Sequence, residues 1–153
     1  MPKIDIAALP VSTGTAYPEP FRQAVVGRAR QRLGEAVGLD QFGVNLCRLA
    51  PGAASSRRHW HAAEDELVYV LDGELVLVED GGETVLRPGD AAAWKAGVAD
   101  GHCLVNRSDR EATFLEIGSR KADERVTYPG IDLALEREGG RGRYLHTDGT
   151  PWA

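Results

Sequence analysis

The chain has 153 residues, a formal net charge of −5 and only two cysteines, Cys47 and Cys103. That length suits one domain with a real core. Charges of both signs are interspersed, so the basic, aromatic-interleaved patch that nucleic-acid binding requires is missing. No apolar run reaches the length of a membrane span, and the stretch Met1–Ile6 has no signal-peptide core. The cysteines form neither a metal-binding pair nor a disulfide framework. These readings predict a soluble, cytoplasmic protein with reduced thiols that contacts no nucleic acid and no membrane.

Residues 1–17 read as irregular, rich in Pro, Ser, Thr and Gly. Beyond Pro18 and Pro20, Phe21, Ala24, Val25, Ala29 and Leu33 recur at helical spacing. This predicts a helix from about Phe21 to Val37 that frays or stops near Gly34 and Gly38. Arg22, Arg28, Arg30, Gln31 and Arg32 lie between the apolar positions and read as its solvated face.

From Phe42 the period becomes two. Phe42, Val44 and Leu46 alternate with Gly43, Asn45 and Cys47 before the Pro51-Gly52 turn. Further strands are expected at about 57–61, 66–72, 74–79, 83–87, 91–95, 102–106 and 112–117. Asp72-Gly73-Glu74 and Asp80-Gly81-Gly82 are hairpin signals. Many short strands with Gly-rich turns and no strand–helix alternation indicate a sandwich or barrel. Within 66–72, Val68 and Val70 occupy one face, and Leu67, Tyr69 and Leu71 the other. A strand with two apolar faces is covered on both. The barrel interior supplies one cover, and the N-terminal helix or a second subunit supplies the other, with a homodimer favoured. After Gly118 the pattern reads as irregular. The ending Tyr144–Trp152 is too apolar for a free tail and is expected to pack on the barrel or on a partner subunit. One domain is expected, with an arm and helix over 1–41, a barrel over 42–118 and an extension over 119–153.

The chemistry gathers in the stretch from His59 to Gly73. His59 and His61 are i and i+2, so in a strand both imidazoles project from one face. Glu66 follows five residues after His61, on the wrong face of a straight strand. A turn at Ala62–Asp65 lets it open a second strand facing back. His102 waits in a later segment. Three imidazoles and one carboxylate suit a divalent first-row metal such as Mn, Fe, Co, Ni, Cu or Zn.

These residues resemble the cupin superfamily. Its first motif is matched by Gly52, His59, His61, Glu66 and Gly73, with the first spacer one residue longer than usual. The second is matched by Gly82, Pro88-Gly89-Asp90, His102 and Asn106. Where the family carries a further Pro-x-Gly, this chain has Lys95-Ala96-Gly97, and the loop to His102 is two residues longer. The flanks, Tyr17-Pro18-Glu19-Pro20-Phe21 and His146–Pro151, resemble a group of small bacterial single-domain cupins often called sugar-phosphate-isomerase-like. The resemblance implies an all-β double-stranded β-helix (jelly roll) with a short N-terminal helix and an extended C-terminal segment. It also implies one divalent metal on His59, His61, Glu66 and His102.

Other residues receive plainer readings. Glu64 and Asp65 are expected to be solvated in the turn, with a role behind the ligands as the alternative. One of Arg57 and Arg58 points inward and is a candidate for holding an anionic group. Trp60 and Tyr69 point away from the metal, and Cys103 packs. Trp94 and Lys95 read as surface, or else as the pocket mouth. Asn106 closes a turn. The functional expectation is a metal-dependent enzyme acting on a small polar carbonyl, sugar or acid by isomerase, lyase or dioxygenase chemistry. The alternative is a non-catalytic module in which the metal only anchors a small-molecule ligand.

Overall fold

Alternating side chains and glycine turns produce twelve strands in the computed structural model, which describes residues 3–153. Met1 and Pro2, the start of the segment read for a signal peptide, lie outside the described residues. The strands are β1 (Arg28–Arg32), β2 (Phe42–Leu49), β3 (Trp60–His61), β4 (Glu66–Asp72), β5 (Leu75–Glu79) and β6 (Gly82–Leu86). They continue with β7 (Ala91–Trp94), β8 (Cys103–Val105), β9 (Ala112–Ser119), β10 (Glu124–Thr127), β11 (Ala134–Glu138) and β12 (Arg141–Leu145). Three sheets result, ordered β1-β2-β9-β4-β7, β12-β11-β10-β3 and β6-β5-β8. The pairings within them are antiparallel, and the sheets do not join into a closed hydrogen-bonded barrel. Among the described residues no helix is long and apolar enough to cross a membrane.

The expected helix over 21–37 is absent. Phe21–Val25 and Glu35–Val37 are single 3₁₀ turns, and Arg28–Arg32 between them is an edge strand. Gly27, at φ +90°, sits in a region open to glycine and breaks any helix. Beyond it, β1 pairs residue for residue with β2. The helical spacing of Phe21 and Val25 is real burial, but in a 3₁₀ turn. The arginines are corrected with it. In a strand Arg28, Arg30 and Arg32 share one face, which borders the cavity. Arg28 is buried and Arg30 half-buried there, whereas Arg32 stays exposed at the rim and pairs with Glu35.

Residues 119–153 are likewise not irregular. They hold the end of β9 and the β10–β11–β12 meander, which is joined to β3 by Val126 opposite His61. Their apolar residues Val126, Tyr128 and Leu133 pack with Tyr17, Phe21 and Val25, and Tyr144 and Trp152 lie against that cluster. The tail therefore packs on its own chain.

The main core lies between the five-stranded and three-stranded sheets, where Phe114, Leu49, Val70, Leu75, Leu77 and Leu104 are buried. Gly73, at φ +81°, lets the β4–β5 turn press on β9, since a Cβ there would lie 2.7 Å from the Ala112 Cα. Asn106, fully buried, donates to the Leu49 and Arg110 carbonyls and accepts from the Ser108 amide and hydroxyl. Its turn-closing reading holds. On the outer face of the five-stranded sheet no helix among the described residues covers β4, and Leu67, Tyr69 and Leu71 are 37%, 40% and 43% exposed.

Candidate metal centre

Two pairing rules set the cluster. His59 and His61 flank Trp60 and share a face. His59 also forms an antiparallel bridge with His102, each amide donating to the other's carbonyl at 3.1 and 2.9 Å. Directly paired residues project on the same side, so the third imidazole joins the first two. Residues 62–65 turn the chain, and Glu66 opens β4 in the five-stranded sheet, facing back toward the histidines. The structure thus brings together all four residues singled out in the sequence.

Their geometry converges on one atom. Glu66 Oε2 lies 3.4 Å from His59 Nε2, 3.3 Å from His61 Nε2 and 3.0 Å from His102 Nε2. The donor atoms of His59, His61 and Glu66 all fall within 4.8 Å of one another. His59 Nδ1 bonds the Arg57 carbonyl at 2.9 Å, and His102 Nδ1 bonds the Asp100 carbonyl at 3.3 Å. A carbonyl only accepts, so these bonds place the proton on Nδ1. In neutral rings the Nε2 lone pairs then face the carboxylate oxygen, and the contact repels unless added protons or a cation stand between them. Burial opposes ionisation of Glu66, yet its contacts with His102, His59 and His61 hold it well below the usual carboxylate range. Burial likewise opposes a charge on His61, but Glu66, Glu124 and Glu64 outweigh it and raise its pKa. An anionic oxygen ringed by three imidazole nitrogens fits a divalent first-row metal.

A second layer orients the first. His61 Nδ1 is buried without a hydrogen-bond partner, 3.6 Å from Glu124 Oε2 and 3.8 Å from Glu64 Oε2. Glu64, expected in solvent, is only 4% exposed; its Oε1 accepts from Arg137 Nη1 at 2.6 Å and from the Lys121 amide at 2.9 Å. Glu124 accepts from the amides of Ala62, Ala63 and Arg125. Sequence reading missed Glu124, because its place beside His61 exists only through the β10–β3 pairing. Trp94 is half-buried: its ring stacks on His102 at 3.6 Å, its Nε1 donates to Glu79, and with Lys95 it borders a second, shallower pocket beside Glu66. Lys95 is exposed, and Asp65 Oδ1 accepts from the Ala96 amide.

The cluster opens on a cavity of about 620 Å³, within the range of small-molecule sites. Tyr17, Tyr128 and Tyr144 form one wall, with Tyr128 5.9 Å from His59 by ring centroids. Burial is the main cause that raises all three phenols, Tyr144 to about 12, so they stay protonated. The residues expected to hold an anion do not line it. Arg58 pairs with Asp80 at 2.6 Å, and Arg57 lies over the Phe21 ring. Three guanidiniums of the cavity, Arg28, Arg30 and Arg32, come from β1, which a helical reading had turned outward, and Arg120 and Arg137 supply the others.

Comparison with known proteins agrees with this geometry. The cupin domain family matches residues 45–118. A crystal structure from Silicibacter pomeroyi, described as a sugar phosphate isomerase of the cupin superfamily, is 45% identical. It covers 99% of this chain and 97% of its own, with a TM-score of 0.95. A protein from Acidithiobacillus ferrooxidans, provisionally assigned the same activity, is 30% identical over 82% of this chain and 80% of its own, with a TM-score of 0.74. The polyketide cyclase RemF from Streptomyces resistomycificus, 21% identical over 79% of this chain and 80% of its own with a TM-score of 0.65, shares the fold. No curated protein matches the chain. The chain belongs to the cupin superfamily.

Proposed function

We propose that this cupin is a metal-dependent enzyme that isomerises a small polar carbonyl compound. His59, His61, Glu66 and His102 would hold one divalent metal, whose chemistry when bound is to polarise a carbonyl or hydroxyl oxygen. The observation that carries the reading is the convergence of three imidazole Nε2 atoms on Glu66 Oε2 at 3.0–3.4 Å. Glu64 and Glu124 hold the His61 ring from behind, and the stacked Trp94 fixes His102. The Tyr17, Tyr128 and Tyr144 hydroxyls retain their protons and offer O–H donors to a substrate oxygen. The isomerase assignment of the Silicibacter relative favours proton transfer beside a carbonyl over oxygen chemistry.

Metal analysis after purification without a metal-affinity step tests the centre. Stoichiometric metal in the wild type, lost in His59→Ala and Glu66→Ala, is the expected result. Incubating metal-loaded protein with aldoses, ketoses and their phosphates in deuterium oxide tests the reaction. Deuterium should enter at the carbon beside the carbonyl; bound metal without exchange would leave a ligand-binding module.

A second copy of the chain is the proposed cover for the β4 outer face, where Leu67, Tyr69, Leu71 and neighbouring Phe42 are each more than a third exposed. Sedimentation should find a dimer in the wild type and a monomer after Tyr69→Lys. A wild-type monomer at micromolar concentration would refute this.

A further inference from the structure

The molecule is net acidic, yet six basic side chains line the cavity (Arg28, Arg30, Arg32, Arg120, Lys121 and Arg137) against five carboxylates. Three of the carboxylates are committed to arginines: Glu116 to Arg30 at 3.0 Å, Glu64 to Arg137 at 2.6 Å and Glu35 to Arg32 at 3.2 Å. The Glu116 oxygens are divided between Arg30 and Asn45, which leaves the buried Arg30 Nε without any partner. Arg28, buried, gives Nη1 to the Ser55 carbonyl and meets no carboxylate among the described residues. Arg120 likewise meets none. Its guanidinium lies over Gly43, where a Cβ would stand 2.1 Å from Nη2, so the missing side chain is the space this cation occupies.

The position of that space matters. Gly43, Gly118 and Glu66 are successive partners across β2, β9 and β4, all on the cavity face. Arg120 therefore sits two strand spacings, roughly 10 Å, from the backbone of Glu66, within the span of one small molecule. A carboxylate is matched by one guanidinium fork. Guanidiniums arriving from β1 and from the segment after β9 suit an ion with oxygens in several directions and more than one charge, which a phosphate monoester supplies.

From this we infer that Arg30 and Arg120, supported by Arg28, form a phosphate subsite that holds the far end of a substrate whose other end lies at His59, His61, Glu66 and His102. The inference rests on the proposed function for that other end only. The substrate class it names is a phosphorylated carbonyl compound, and neutral analogues lack the group that these arginines hold.

Calorimetric titration of the metal-loaded full chain with inorganic phosphate tests it, with acetate as competitor. Affinity should fall about tenfold or more in Arg30→Gln and in Arg120→Gln, as expected for loss of a charge-assisted contact. It should stay close to wild type in His59→Ala, which separates this subsite from the metal centre. Arg120 is exposed, so its variant is expected to fold and decides the matter alone if Arg30→Gln does not. Unchanged affinity in Arg120→Gln, loss confined to His59→Ala, no phosphate binding at millimolar concentration, or equal competition by acetate would each overturn the inference.

Discussion

The two ends of one sheet face are built from opposite materials. Along β4, β9 and β2, one row is Val70, Phe114 and Cys47, all buried and packed against Leu75, Leu77 and Leu104. Two rows away, the same strands in the same register carry Glu66, Gly118 and Gly43. Between them lies Val68, Glu116 and Asn45, where the change occurs. Alternation is continuous through all three rows, so the backbone does not distinguish core from site. Only side-chain type does: bulky apolar groups close one end, and glycines beside carboxylates leave the other open. Stability and chemistry are thus separated along the strand by about four residues.

Four substitutions would break or sharpen that contrast. Phe114→Ala, at the packed end, should have the largest effect on stability, about 3–5 kcal/mol by denaturant unfolding, because it removes a fully buried ring and leaves a cavity. A loss under about 1 kcal/mol would mean the packed end does not hold the fold. Glu66→Ala, at the open end, should abolish stoichiometric metal while leaving a cooperative thermal transition. Coincident loss of metal and fold would show that the two ends are not separable. Glu124→Gln keeps the four candidate ligands and removes one of the two carboxylate charges behind His61, leaving Glu64. Metal affinity measured by competition with a chelator should drop about 10–100-fold, and no change would make Glu124 a purely structural acceptor.

The smallest effect is expected far from both ends. Asp132 bonds the Thr147 amide, His146 Nδ1 and the Thr147 hydroxyl, which hold its carboxyl at about 2, below its ordinary 3.8. A depressed carboxyl contributes stability that is present above its unfolded value and lost as pH falls through the folded one. Asp132→Asn should lower thermal stability slightly at neutrality and flatten the curve between about pH 4 and 2, so that variant and wild type converge near pH 2. An identical acid limb in the variant would show that this exposed clamp contributes nothing.

The reading of the chain succeeded where the signal was local. His59 and His61 needed only the period of a strand, Glu66 only a turn at 62–65, and the hairpins at Asp72-Gly73 and Asp80-Gly81 only the preferences of glycine. It failed at Phe21–Val37 because Phe21, Ala24 and Val25 satisfy a helical spacing that two short elements also satisfy. The decisive fact, pairing of Arg28–Arg32 with β2, involves residues 13 or more positions away. With that error went the arginine face of the cavity. Glu64 was misread because its environment is supplied by Arg137 and Lys121, more than fifty residues later.

What the sequence determined by itself was therefore an all-β chain of the cupin kind and the four residues that meet at its centre, because strand periodicity and ordered motifs are properties of neighbours along the chain. What only the tertiary structure decided was what surrounds those four: the carboxylates behind His61, the tyrosine wall, the Trp94 ring on His102 and the arginines of β1. Each depends on which strand lies beside which, and that choice is made by burying apolar faces across the whole molecule.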